Sequence, residues 1–395
     1  MSIKKNKPMK IKNDISFILS KWIIGIYFLV AIFGSFLAGD VPIFCNINGI
    51  KSFPLISSIF TKSSFNTNYS EESCIMPFIP YSPLNIDKDH PVALSPFDDS
   101  KIGIRKNKHW LGTDKLGRDV ASGMIHGTST ALKIGIISVF FAFIVGVSLG
   151  MMSAYYKDDG IRISAPLLIA ILVVIPTALY YMIMEWVIFN PSVLYFLSAC
   201  LVGTIIFGAS ISWINKSDYF KKHNVPIDML LLKVIEIRKS FPGIFILLAL
   251  VSLFAVPSIW NIVFIIALLG WTEFARFARA ETLAVKEENY ILSVKVLGFS
   301  DVRILVGHIL PNILPTLIVM VCFSIGSAVL LESTLSFLGI GLPVEEVTWG
   351  KMMAEGRNMN AWWLVVFPGL AIFILILSLN RLATGYQKSN FTRLF

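Results

Sequence analysis

The chain has 395 residues, of which 55% are hydrophobic and only 15% charged, with a mean hydropathy of +0.72. Soluble globular domains carry about 25% charged residues, so this composition excludes a soluble protein and calls for an integral membrane one. The formal net charge of +9 reads as topology rather than nucleic-acid binding. The basic residues lie mainly outside the apolar runs, and none of their clusters is interleaved with base-stacking aromatics.

A span needs roughly 20 apolar residues. The first runs from Ile15 to Leu37, behind a leader holding Lys4, Lys5, Lys7, Lys10 and Lys12. It is longer than the apolar core of a signal peptide, about 7–15 residues, and is expected to remain as a helix with the N-terminus in the cytosol. Residues 39–128 form a long polar loop whose proline clusters, PFIPYSPLN and HPVALSPFDD, predict irregular, extended chain. Further apolar runs at about 130–154, 164–188, 193–214, 228–256, 259–278, 313–338 and 362–386 bring the expected spans to eight. The fold class expected is thus an all-α polytopic membrane protein.

The polar connections fix a sidedness. With the N-terminus inside, the cytosolic loops hold Lys157 and Arg162; Lys216, Lys221 and Lys222; Arg276, Arg279, Lys286, Lys295 and Arg303; and Lys388 and Arg393. The short outer loops near Asn190 and Pro257 hold no Lys or Arg, and the outer loop 339–361 holds Glu345, Glu346 and Glu355 against Lys351 and Arg357. That is the positive-inside pattern, and it puts both termini in the cytosol. Of the four cysteines, Cys200 and Cys322 lie in apolar runs and read as packing residues, while Cys45 and Cys74 share the long loop. An extracytoplasmic loop would permit a bridge between those two, but spacing alone leaves the pairing open. No Cys/His cluster has metal-ligand spacing, so no metal site and no cofactor is expected.

One polar interruption between apolar runs stands out: EENYILSVKVLGFSDVRILVGHILPN, Glu287 to Asn312. Its spacing predicts a helix from Glu287 to Leu297 with Tyr290, Ile291, Val294 and Leu297 as an apolar stripe, stopped by Gly298. Ser300 is placed to cap a second helix with Asp301 in its first turn, and Pro311 marks the exit into the next span. Spanning a bilayer needs none of this; a surface hairpin or a grip for a cytosolic partner does.

Gly298, followed after about ten residues by Ile309-Leu310-Pro311, resembles the EAA loop of ATP-binding-cassette importer permeases, in the version found in the second permease subunit of oligopeptide and dipeptide systems. Two further blocks are similar to that family. One is His109-Trp110-Leu111-Gly112-Thr113-Asp114-Lys115-Leu116-Gly117-Arg118-Asp119-Val120. The other is Leu335-Ser336-Phe337-Leu338-Gly339-Ile340-Gly341, followed by Trp349-Gly350 and Ala354-Glu355-Gly356. The stretch from Asp228 to Gly243 agrees as well. The resemblance covers residues 1–38, about 105–160 and 226–386. The chain departs from the family in four places: Leu292-Ser293-Val294 stands where the EAA letters fall, without the glutamate; the first loop is longer; residues 161–225 look like an insertion of two spans; and the last helix ends Asn380-Arg381-Leu382-Ala383-Thr384-Gly385 without the Gly-Asp that often sits there.

The resemblance implies a six-helix permease core plus an inserted two-helix hairpin. It divides the chain into a leader and first helix (1–38), a long extracytoplasmic loop (39–128), a permease domain (129–386) holding the insertion (161–225) and an ATPase-docking loop (278–312), and a cytosolic tail (387–395). It implies a non-enzymatic subunit of a binding-protein-dependent peptide importer in the bacterial inner membrane, working by alternating access. The partners implied are a homologous second permease, two ATPase subunits, an extracytoplasmic solute-binding protein, a peptide substrate and membrane lipid, with no nucleic acid. The docking surface expected is Tyr290, Ser293, Val294, Lys295, Gly298 and Phe299, with Pro311 fixing the exit and Gly298 allowing a bend that a Cβ would block. Gly112, Thr113, Asp114, Gly117, Arg118, Asp119, Glu332, Gly339, Gly341, Trp349 and Gly350 are signature positions with structural roles. In the block from Gly112 to Asp119, Thr113 or Asp114 is expected to cap a helix, Arg118 to pair locally, and Gly112 and Gly117 to permit close packing, with docking to the solute-binding protein as the alternative role. Glu332 and Glu185 are acids in or near apolar runs, the first near a span end where snorkelling, capping or a gating contact is open to it, the second at an interface. No catalytic residues are expected: the chain has no phosphate-binding GxxxxGK[ST] loop, no HExxH and no GxSxG. Two alternatives stand beside this reading, a membrane anchor that recruits a soluble partner and an importer of nickel chelates or other solutes.

Overall fold

The computed structural model describes residues 15–47, 50–61, 74–86, 93–96, 109–158, 162–164, 222–254 and 256–391. The expected spans at 164–188 and 193–214, and Glu185, lie outside these residues. Among the described residues, five helices are long and apolar enough to cross a membrane: Ile15–Leu37, Val120–Tyr156, Ile259–Lys286, Asp301–Phe337 and Trp362–Gln387. The protein is an all-α polytopic membrane protein, as its apolar runs predict.

In chain order the helices are α1 (Ile15–Leu37), α2 (Pro54–Thr61), α3 (Val120–Tyr156), α4 (Ile227–Ser240), α5 (Gly243–Leu253), α6 (Ile259–Lys286), α7 (Asn289–Val296), α8 (Asp301–Ile304), α9 (Leu310–Phe337), α10 (Trp349–Met359) and α11 (Trp362–Phe391). The expected span at 228–256 is broken. Pro242 has no N–H and forces the residue before it out of the α region, so Phe241 is extended (φ −99°, ψ 129°) and the run splits into α4 and α5. Asp228, Lys233, Glu236, Arg238 and Lys239 make α4 a polar helix.

The chain divides into two compact units, Met1–Phe140 with Ser258–Ile266 and Ile318–Phe395, and Phe141–Pro257 with Ala267–Leu317. The core of the first is a cluster of buried side chains including Leu132 of α3, Val329 of α9, Trp349 and Met352 of α10, and Leu364, Ile372 and Leu375 of α11, with Ile24, Tyr27 and Ala31 of α1 packed against it. Tyr27 Oη donates to Ala371 O (2.8 Å), tying α1 to α11. Most other large side chains on α1, including Ile18, Trp22, Ile26, Leu29 and Phe33, remain exposed. That is the surface a helix offers to lipid.

Where it is described, the proline-rich chain at 77–85 and 93–96 is irregular, as its prolines predict, but short strands lie elsewhere in the loop after α1. Strands β1 (Phe44–Ile47), β2 (Ile50–Ser52) and β3 (Cys74–Ile75) form a small antiparallel sheet in the order β2-β1-β3. Cys45 and Cys74 are register partners and are joined by a disulfide across a Cα–Cα distance of 4.2 Å. In the second unit, α3 and α6 lie close. A Cβ at Gly146 or Gly150 would run into the α6 backbone at Trp271 and Ala275. Strands β4 (Arg162–Ser164) and β5 (Lys222–Asn224) pair antiparallel and bring the two ends of segment 165–221 together.

Candidate functional site

The polar interruption forms α7, a turn at Gly298, and α8, which continues through a wide π turn (Leu305–Ile309) into α9. Gly298 has φ +77°, a left-handed backbone that glycine adopts without cost. A Cβ there would meet no neighbouring side chain within 4 Å, so its cost would come from the left-handed backbone itself, which is the bend a Cβ opposes. Ser300 sits at the N-cap of α8, but its side chain makes no capping hydrogen bond. Pro311 does not end a helix. It lies one residue into α9, immediately after the wide turn, in which Leu310 N–H reaches back to Leu305 O. Proline removes one donor and crowds the carbonyl four residues earlier, and the wider turn relieves that crowding.

The predicted apolar stripe is not buried as a stripe. Ile291 is buried, Val294 is intermediate, and Tyr290 and Leu297 are exposed. The loop instead presents Tyr290, Leu292, Val296, Leu297, Val302 and Val306 outward, with Val296 at 88% and Leu297 at 73% exposure. A contiguous segment that leaves this many apolar side chains in the open needs a covering partner. Of the other expected docking residues, Ser293 is exposed and donates to Asn289 O (2.9 Å), and Lys295 is also exposed. Phe299 is half-buried beneath the Arg303 guanidinium, 4.4 Å from its ring centre.

Beneath the loop lies a polar brace that the sequence reading did not assemble. Arg279, near the end of α6, donates from Nε and Nη2 to the two carboxylate oxygens of Asp228, each at 2.6 Å. Asp228 stands in the first turn of α4, where the helix dipole favours an anion. Ser153 Oγ of α3 donates to the same carboxylate at 2.5 Å. The Arg279 guanidinium, helped by Ser153 and opposed by burial, holds the Asp228 carboxyl below the usual range. Lys286 Nζ donates to Ala154 O and Tyr155 O, both at 2.9 Å, covering carbonyls that the end of α3 leaves without helical partners. Tyr155 Oη donates to Asp301 Oδ1 (2.8 Å) in the first turn of α8, and the Lys295 ammonium lies 5.9 Å from the Tyr155 ring centre. Asp228 and Arg279 are 51 residues apart and Tyr155 and Asp301 are 146 apart. The only sequence signal for the brace was acid at helix starts and base at helix ends.

The remaining signature residues gather in the first unit. Asp119 caps α3: its Oδ1 accepts from Ser122 N (2.6 Å), and its Oδ2 is hydrogen-bonded to the buried His109 Nδ1 (2.8 Å), on which Tyr81 stacks. The expected caps do other work. Asp114 Oδ1 accepts from Leu116 N and Arg118 N, both at 2.8 Å, and shapes the turn, while Thr113 Oγ1 accepts from Leu94 N (2.8 Å). Arg118 Nε lies 3.9 Å from Asp114 Oδ2, a local pair. Gly112 (φ +81°) and Gly117 (φ +83°) hold left-handed turns, as do Gly339 and Gly341, so backbone handedness is required at each; at Gly112 a Cβ would also strike Leu94 O. Gly350 packs directly on Ser333 O, and Trp349 is fully buried with Nε1 donating to Met124 O (3.2 Å). Glu332 does not snorkel. It is fully buried and accepts from Ser336 Oγ (2.7 Å) and Ser333 Oγ (3.2 Å). A cavity of about 330 Å³ lies among these residues, lined by Asp114, Lys115, Arg118, Glu346, Lys351 and Glu355. Lys351 Nζ is engaged by Pro343 O and by Glu346 O. Burial pushes the Glu355 carboxyl up, with Asp114 adding to the effect and Lys115 and Arg118 opposing it.

Three curated proteins illustrate what this chain is similar to. The dipeptide transport system permease protein DppC of Alkalihalophilus pseudofirmus is 27% identical over 284 residues, 71% of each chain. The glutathione transport system permease protein GsiD of Pectobacterium atrosepticum is 27% identical over 283 residues, again 71% of each. The probable D,D-dipeptide transport system permease protein DdpC of Escherichia coli is 27% identical over 281 residues, 71% of this chain and 72% of the relative. Residues 217–389, which include α4 to α10, the docking loop and most of α11, match the family described as binding-protein-dependent transport system inner membrane component. Over that part the chain is similar to this family, and together with the relatives this supports a peptide-type permease of an ATP-binding-cassette importer.

Proposed function

We propose that this permease subunit carries peptide-class solutes inward, and that residues 287–312 seat it on an ATPase subunit. The cargo class follows the names of its relatives, which are dipeptide, D,D-dipeptide and glutathione permeases. The partners are a homologous second permease, two ATPase subunits that hydrolyse ATP, and a solute-binding protein on the outer side. Both termini and the docking loop are cytosolic by the positive-inside pattern, and the bridged cysteines suit an oxidising exterior.

The observation that carries the docking assignment is an exposed apolar loop braced to its neighbouring helices. Tyr290, Leu292, Val296, Leu297, Val302 and Val306 face outward on α7 and in the segment leading to α9. The polar groups behind them clamp the end of α3, the start of α4 and the end of α6. When ATPase subunits close on ATP, a push on such a loop moves helices as rigid bodies instead of dissipating in a slack connection. The solute cavity would open outward on ATP binding and reset after hydrolysis.

The test replaces residues 290–298 with a flexible Gly/Ser linker in the assembled importer. Uptake is expected to collapse while any residual ATP hydrolysis no longer responds to the loaded binding protein. Survival of both uptake and ATPase co-purification would overturn the assignment, and a simple membrane anchor using the same loop would capture its partner before the change but not after it, with no solute movement in either case.

A further inference from the structure

We propose that the paired rings of Phe78 and Trp110 rest in the headgroup–acyl boundary of the bilayer, at the surface where the C-terminal end of α1 emerges, and hold the disulfide-bridged sheet and the start of α3 down on the membrane. The argument starts from the depth at which these rings are fixed. α1 is the first apolar span, and its exposed face of Ile18, Trp22, Ile26, Leu29, Ile32 and Phe33 is the lipid face. The span ends at Leu37, and the chain segment carrying Phe78 is hydrogen-bonded to that end. Ile79 N donates to Leu37 O (2.9 Å), Gly39 N donates to Ile79 O (3.0 Å), and Ala38 and Ile79 form a parallel bridge. His126 Nε2, on α3, is hydrogen-bonded to Ala38 O (2.9 Å), so a second apolar helix passes the same level. Phe78 is therefore fixed beside the last residue of a span by backbone bonds.

Trp110 completes the feature from another part of the chain. Its ring lies 5.8 Å from that of Phe78, at an interplanar angle of 33°. The rings are nonetheless 74% and 61% exposed, while the neighbours Ile79 and Leu111 point the other way and pack into the core. Ile75, in the same strand as the bridging Cys74, is also 61% exposed. Two large rings held open to the surroundings at the end of a span match the aromatic belt, where an amphipathic indole prefers headgroup depth to either water or hydrocarbon. The patch continues the lipid face of α1 at the level where that face ends, and this favours lipid over a soluble protein as its cover.

The measurement is made on the full chain in lipid nanodiscs without ATPase or binding protein, so its outcome does not depend on the docking loop. Nitroxide labels go at Phe78→Cys and Trp110→Cys in a background carrying both Cys200→Ser and Cys322→Ser, with Leu29→Cys as the lipid reference, Asn46→Cys as the sheet reference and the Cys45–Cys74 bridge verified by mass. The expected result is a ratio of oxygen to nickel-chelate collision at 78 and 110 several-fold above that of a freely dissolved nitroxide and approaching that at 29. A second measurement leaves the cysteines untouched: lipids brominated near the headgroup should quench wild-type tryptophan emission more than that of Trp110→Phe. Water-like collision ratios at both positions, with no quenching difference, would overturn the proposal. Water-like ratios that fall only when the solute-binding protein is added would overturn it in favour of that protein as the partner.

Discussion

The surroundings of Glu355 disfavour its charged form. Burial beside Asp114 raises its pKa in the folded protein above the ordinary glutamate value of about 4.3. A raised folded pKa means that the stability the group contributes is fully present below the unfolded value and is lost as pH rises through the folded value. The neutral substitution Glu355→Gln is therefore expected to raise the thermal unfolding temperature at pH 7.5 and to lose that advantage near pH 4, as thermal denaturation of the purified protein at the two pH values would register. Gly298 makes a different demand, on the backbone alone. A β-branched residue at φ +77° pays about 1–2 kcal/mol for the left-handed conformation, so Gly298→Val should speed hydrogen exchange across residues 289–300 by about 5–30-fold. Gly298→Asn should have a smaller effect, since asparagine tolerates that region better than most residues.

Among the elements, the brace is what distinguishes this loop from an ordinary surface hairpin. Arg279→Gln removes a two-point clamp whose side chains are only 22% and 13% exposed, a loss on the order of 2 kcal/mol between the limits for surface and buried pairs. Uptake per ATP hydrolysed should fall, while co-purification with the ATPase, which reads the exposed face, should persist. Because the Asp228 carboxyl is depressed, the stability from this clamp is present above the ordinary aspartate value of about 3.9 and is lost only as pH falls through the lower folded value. Coupling should therefore show no titration from this clamp between pH 5 and 8. The sequence carried the loop but not the brace, and the reason is physical. Gly298 and the caps are local signals, whereas Asp228, Arg279 and Ser153 meet only after three helices have packed. The same limit explains the misread cap of α3: Asp114 and Asp119 are both plausible caps by type, and which one starts α3 depends on the buried His109. The run 228–256 read as one span because its apolar residues outweighed its charges, while Pro242 and five charged side chains in α4 point the other way.

At the scale of the whole molecule, the apolar runs predicted the all-α polytopic class and the five spans among the described residues because length and hydropathy are properties of each helix alone. The small bridged sheet was not legible, since its strands are two to four residues long and lie among prolines. Within the second unit the chain is helical without a break from Asp301 to Leu317, so the docking segment and the start of the next span form one rod. Within that rod the π turn at Leu305–Ile309 acts as a one-residue insertion, and an α-helix turns about 100° per residue. Ile313 and Leu317, both fully buried, owe their inward aim to that extra residue, as Val302 and Val306 owe their outward one. Removing a single residue from 305–309 would leave the rod helical and equally long-lived in the bilayer, yet rotate one end against the other. The handle would survive, turned a quarter of the way round from the door it moves.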